Sequence, residues 1–161
     1  MTALVLALCL TATDGGVSAL DGTWVLDADR STDPGPVLER LHVGWLLRKM
    51  APTVKPTNVI VTAADRATVE VKSPIGSKRN VLVFDGVTPT NDDFFGNPLT
   101  YLVTIEGDTI VGRGHVTLEK EGKVPLELRR RVEEDGAMTL RIIVTPPGEN
   151  QIELKRVFKR K

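Results

Sequence analysis

From residue 58 onward, apolar and polar residues alternate over short runs broken by turn signals, the period-two signature of strands with one face on a core. The runs cover 58–62, 67–72, 79–84, 87–91, 99–105, 109–118, 124–132, 138–145 and 151–159, and Gly22 to Leu26 adds an earlier one. Between them Asp85-Gly86, Glu106-Gly107-Asp108, Lys120-Glu121-Gly122 and Glu134-Asp135-Gly136 read as tight turns, with a longer loop over 92–98. Only one segment changes period. Val37, Leu38, Leu41, Trp45, Leu46 and Met50 recur at helical spacing, Gly44 allows a bend between two short helices, and Pro52 and Pro56 end the segment. Loops this short join antiparallel neighbours, and a long meander removes its edges by closing. The pattern predicts an all-β fold, an antiparallel up-and-down β-barrel of about ten strands with a helix-turn-helix lid after the first strand. With only seven aromatic residues to fill a wide barrel, a cavity is the expected consequence.

Phase along two strands singles out two arginines. In 151–159, Ile152, Leu154, Arg156 and Phe158 share a face; in 124–132, Val124, Leu126, Leu128, Arg130 and Val132 do so. A guanidinium keeps its charge at any workable pH, so an inward one needs water, a partner or a bound anion. Glu127 and Glu153, the acids of these strands, fall on the opposite face. A carboxylate from another strand, internal water or an anionic ligand therefore remain as alternatives. Arg129 and Arg131 flank Arg130, so a slip of one residue would exchange the inward arginine.

Composition narrows the function classes. A length of 161 residues suits one domain with a real core, and 21 basic against 21 acidic residues leave no global field to attract nucleic acid. Cys9 is the single cysteine, and His42 and His115 lie far apart, so no metal or cofactor pattern is evident. No nucleophile stands beside a base at motif spacing and there is no Gly-rich phosphate loop, so an enzyme is not expected. Residues 1–19 read either as a signal peptide cleaved after Ala19, implying export or a periplasmic location, or as a retained N-terminal extension of a cytoplasmic protein. The domain proper is expected over 20–161.

Three motifs resemble the intracellular lipid-binding proteins, the family of fatty-acid- and retinoid-binding proteins within the lipocalin-like calycins. Gly22-Thr23-Trp24-Val25-Leu26 looks like their opening strand. The run from Val43 to Ala51 with Lys55-Pro56-Thr57 is similar to their second helix and its exit, and Arg156-Val157-Phe158 resembles the Arg-x-Tyr of their closing strand. The resemblance implies a non-enzymatic carrier with two helices lidding a ten-stranded barrel, in which two interior arginines and a tyrosine hold the carboxylate of a fatty acid or retinoid. Arg156 matches one arginine by motif and Arg130 the other by its place two strands earlier, with Leu128, Leu154 and Phe158 around them. Phe158 stands where the family has tyrosine.

By the same resemblance Val37, Leu41, Leu46 and Met50 form the inner side of the lid, with Ile75, Phe94 and Phe95 at the portal, while Trp24 plugs the closed end. Basic residues near the lid, here Arg48, Lys49 and Lys55, imply a transient contact with anionic membranes, and a monomer is expected. Two rivals remain: a haem-binding barrel using His42 or His115, and a ligand-free barrel serving as an interaction module.

Overall fold

The computed structural model describes residues 16–161. A single 3-10 turn, Val17–Leu20, leads into β1 (Gly22–Leu26). Two six-residue helices follow, α1 (Gly35–Arg40) and α2 (Trp45–Met50), and then nine strands in succession. These are β2 (Thr57–Thr62), β3 (Arg66–Ser73), β4 (Gly76–Val83), β5 (Pro89–Phe94), β6 (Asn97–Glu106), β7 (Thr109–Leu118), β8 (Gly122–Val132), β9 (Met138–Val144) and β10 (Ile152–Arg160). Each strand pairs antiparallel with its sequence neighbour except across one seam, and β1 pairs with β10 to bring the ends of the chain together. The sheet therefore runs β4-β3-β2-β1-β10-β9-β8-β7-β6-β5, an up-and-down barrel left open only between β4 and β5.

The helical segment divides as its glycine predicts. α1 ends where His42 takes a left-handed conformation (φ 56°), which lets the amide of Val43 turn back to the carbonyl of Leu38 at 2.9 Å. Gly44 then caps α2. Val37, Leu38, Leu41 and Val43 are buried, so α1 is fastened by its apolar side to the barrel. No residue of α2 itself is fully buried. The lid is thus one anchored helix and one lightly held one.

The floor is built around Trp24. It is fully buried, its Nε1 donates to the carbonyl of Leu20 at 2.8 Å, and the guanidinium of Arg160 lies 4.2 Å from its ring centroid. Arg160 also donates to the carbonyl of Ala19 at 2.9 Å, tying the turn before β1 to the end of β10. Of the leader or extension expected over 1–19, residues 1–15 lie outside the described residues.

One stretch departs from the sequence pattern. The strand expected over 87–91 and the loop over 92–98 are in fact β5 running on to Phe94, a two-residue turn of Phe95 and Gly96, and the start of β6 at Asn97. Both turn residues have positive φ, 50° and 88°. Phenylalanine is uncommon there and Asp92-Asp93 is a frequent turn signal, so local chemistry points to the wrong place.

No backbone ladder joins β4 to β5 among the described residues, and one carboxylate bridges the gap instead. Asp92 on β5 accepts from Asn80 Nδ2 on β4 at 2.6 Å and forms an ion pair with Lys78 on β4. Two charge-assisted contacts, one to a lysine still partly in water, contribute about 1–2 kcal/mol together. Asp92→Ala is expected to lower the melting midpoint by about 3–6 °C, with amide exchange rising first in Gly76–Val83 and Pro89–Phe94. Uniform exchange across all ten strands would show that the seam does not depend on this carboxylate.

Candidate functional site

The inward phase of β8 and β10 places both arginines in the barrel. Arg130 and Arg156 each stand opposite the same residue, Leu140 of β9, one from either side. Their backbones are thus two strand spacings apart, about 10 Å. Leu128 and Leu154 repeat the arrangement around Ile142 one row along. Arg130 and Arg156 line a cavity of about 260 Å³ together with Leu128, Leu140, Ile142, Leu154 and Phe158. That volume is close to the lower end of the roughly 300–1,000 Å³ common for ligand pockets.

Neither guanidinium is neutralised as a surface arginine would be. Among the described residues no hydrogen bond reaches either one from the protein, and Nε of each is buried without a partner. Burial pushes both below the ordinary arginine range. For Arg130 this is partly offset by the phenol of Tyr101 and the carboxylate of Asp92; Arg156 has no such offset. Three outward arginines of the same sheet are paired with carboxylates instead. Arg129 meets Glu106 and Glu127, each at 3.1 Å, Arg113 meets Glu106 at 2.7 Å, and Arg141 meets Glu153 at 2.7 Å.

Two residues that the sequence pattern did not single out complete the site. Tyr101 on β6 lies in phase with Leu99 and Val103, and its ring packs closely against Gly112 of β7. A Cβ at Gly112 would lie 2.7 Å from the ring, so only glycine leaves that space. Asp92 is the second. Its strand was read as a loop, which hid its inward phase. Tyr101 was legible as the only tyrosine on an apolar face, but nothing in the sequence says that it reaches Arg130.

The mouth lies under α2. A second pocket of about 210 Å³ is lined by Leu47 and Met50 of α2, Val54 and Pro56 before β2, Ile75 at the β3–β4 turn, Phe95, and again Arg156. Met50, Ile75 and Phe95 are therefore brought together around one pocket. Phe94 sits deeper, buried in the main cavity wall and edge-on to Phe95 at 5.0 Å. Three expectations change. Leu46 is 54% exposed and faces away, its place on the inner side being taken by Leu47. Val37 and Leu41 are buried in the anchoring contact of α1 and line neither pocket. A helix of six residues shows each face for barely two positions, so a one-residue difference in phase decides inward or outward.

No family model and no curated protein matches the sequence. Solved structures do match the fold. The REP1-NXSQ fatty acid transporter superposes with a TM-score of 0.70 at 20% identity, over 88% of this chain and 96% of that one. Apo lipid binding protein 8 of Caenorhabditis elegans gives 0.70 at 19%, over 89% and 96%. A Schistosoma mansoni fatty acid binding protein in complex with arachidonic acid gives 0.69 at 20%, over 91% and 98%. The chain has the fold of the intracellular lipid-binding proteins.

Within that fold the two histidines lie away from the cavity. His42 is exposed beside Glu121 at 3.6 Å, and His115 stands on the outer face opposite Pro125. Neither lines the interior, which counts against an axial haem ligand from these positions.

Tyr101 offers a direct probe, being the only tyrosine of the chain. Its hydroxyl is pushed up to about 12, first by burial and then by Asp92, with Arg130 opposing. A phenol whose folded pKa is raised keeps its contribution to stability below the unfolded value near 10, and loses it as pH rises toward 12. Ultraviolet titration should show the phenolate appearing near pH 12, earlier in Asp92→Asn and later in Arg130→Ala. Ionisation near the ordinary value would place the ring in water.

Proposed function

We propose that the protein is a non-enzymatic carrier that encloses one small hydrophobic carboxylate, a fatty acid or a retinoid-like acid, with its head group between Arg130 and Arg156. One observation carries the reading: two guanidiniums in a single row of an apolar barrel, with no hydrogen bond to either from the described residues. A carboxylate supplies the missing acceptors, and each charge-assisted hydrogen bond contributes about 1.5–3 kcal/mol net. Tyr101 lines the same cavity as Arg130 and brings to it a hydroxyl that Phe158 lacks. The acyl chain adds about 0.8 kcal/mol for each methylene buried, before ordering costs. Affinity then comes chiefly from the chain and head-group choice from the arginines.

Asp92 offsets part of the burial effect on Arg130, whereas no carboxylate among the described residues does so for Arg156, which also lines the second pocket. Arg156 is thus the first guanidinium an entering acid meets and the stronger anchor. In displacement of a fluorescent fatty-acid probe, wild type should prefer palmitic acid over hexadecanol by about 10- to 100-fold. Arg156→Ala should remove most of that preference and Arg130→Ala less. Equal binding of acid and alcohol by wild type would sink the head-group assignment, and no probe uptake after delipidation would favour a ligand-free module.

The lid favours a surface encounter as well. Trp45 is 67% exposed beside Leu46, with Lys49 and Lys55 exposed nearby, whereas Arg48 is paired with Glu39 at 3.1 Å. Aromatic and apolar groups next to lysines suit a transient contact with an anionic bilayer. Trp45 emission should shift to the blue with vesicles containing phosphatidylserine and not with phosphatidylcholine alone, and Trp45→Ala should remove the shift.

A further inference from the structure

Beyond the two arginines the cavity wall carries further polar groups, on β2, β4 and β5. Asn58 on β2 lines the cavity and is only 3% exposed, so its side-chain amide is a polar group set in the cavity wall. It faces Val71 of β3, and Val71 faces Lys78 of β4, so Asn58 and Lys78 flank Val71 much as the arginines flank Leu140. Asn80 stands one row along on β4, and Asp92 closes the group from β5. Oδ1 of Asp92 takes the amide of Asp93 at 2.6 Å and Lys78, while Oδ2 takes Asn80. A carboxylate has about four acceptor positions, so one remains on Oδ2.

The two sets of groups ask for different chemistry. Guanidinium groups only donate, and they can pair with nothing but an acceptor. Asp92 only accepts, and the Asn58 amide both donates and accepts. A plain methylene chain offers the Asn58 amide and the free position on Asp92 no partner, and a polar group covered without one loses the hydrogen bonds that water would give it. A hydroxyl can accept from Asn58 or donate to Asp92.

From this we infer that the preferred ligand is an amphipathic acid carrying a second hydrogen-bonding group along its chain, a hydroxylated fatty acid, read by Asn58 and Asp92. The inference rests on the reading that Arg130 and Arg156 hold the head group, since that leaves the chain to lie against the rest of the cavity lining, Asn58 and Asp92 included. Specificity of this kind is large because the loss falls on the protein's own unpaired groups when the hydroxyl is missing.

The test is displacement of the fluorescent fatty-acid probe by palmitic acid and by its mono-hydroxylated positional isomers. At least one isomer should compete about tenfold better than palmitic acid with wild type. Asn58→Leu, close to the natural side chain in size, should erase that advantage while binding palmitic acid as well as or better than wild type. Asp92→Asn keeps an acceptor for the seam and should narrow the advantage, with a thermal melt to confirm folding of each variant. Palmitic acid equal to or better than every isomer overturns the inference, as does an advantage that survives both substitutions. If palmitic acid and hexadecanol bind equally, the head-group reading fails by itself, and a hydroxyl advantage that still depends on Asn58 supports the polar wall.

Discussion

The charge on an arginine cannot be switched off, and two of them are turned into the barrel. A buried ionisable group usually escapes its desolvation cost by changing protonation state. Arginine has no such route, so the surroundings must adapt. The response is visible in the wall itself: Leu140 keeps the two guanidiniums apart, Tyr101 lies over the bare backbone of Gly112 near Arg130, and Asp92 approaches from the strand at the seam. The cavity is kept open by charge that cannot be packed over, as much as by the scarcity of aromatic side chains.

Asp92 joins this interior to the one weakness in the barrel. A β-sheet edge exposes unpaired backbone groups, and the meander removes them everywhere except between β4 and β5. There the ladder is replaced by side chains converging on one carboxylate. The same residue contributes charge to the cavity, so the local stability of the seam and the electrostatics seen by a ligand are coupled through it. The mouth is also made from lightly held parts, with α2 unburied, Ile75 on an exposed turn, and Phe95 in a left-handed conformation that phenylalanine rarely adopts.

The outer face shows why the register is firm. Arg129 and Arg131 point outward on either side of Arg130, and Arg129 finds two carboxylates there while Arg131 lies 3.4 Å from Asp108. A slip of one residue in β8 would bring both inside with Glu127 and expel Leu128 and Val132. The cost of that exchange falls on both faces at once.

Strand number, order and the two-helix insertion followed from the sequence by itself, because period-two alternation and short loops are local properties of the chain. The size and lining of the cavity, the seam, and the meeting of Asp92, Tyr101 and Asn58 on one cavity wall were decided by tertiary structure alone. Asp92 was hidden inside an apparent loop, since a Phe-Gly turn carries weaker local signals than the Asp-Asp beside it. Tyr101 needed the absent side chain of Gly112, which only pairing between β6 and β7 brings beneath its ring. Inward or outward is written along a strand, but which inward residues meet depends on the closure of the barrel and on contacts between strands far apart in the chain.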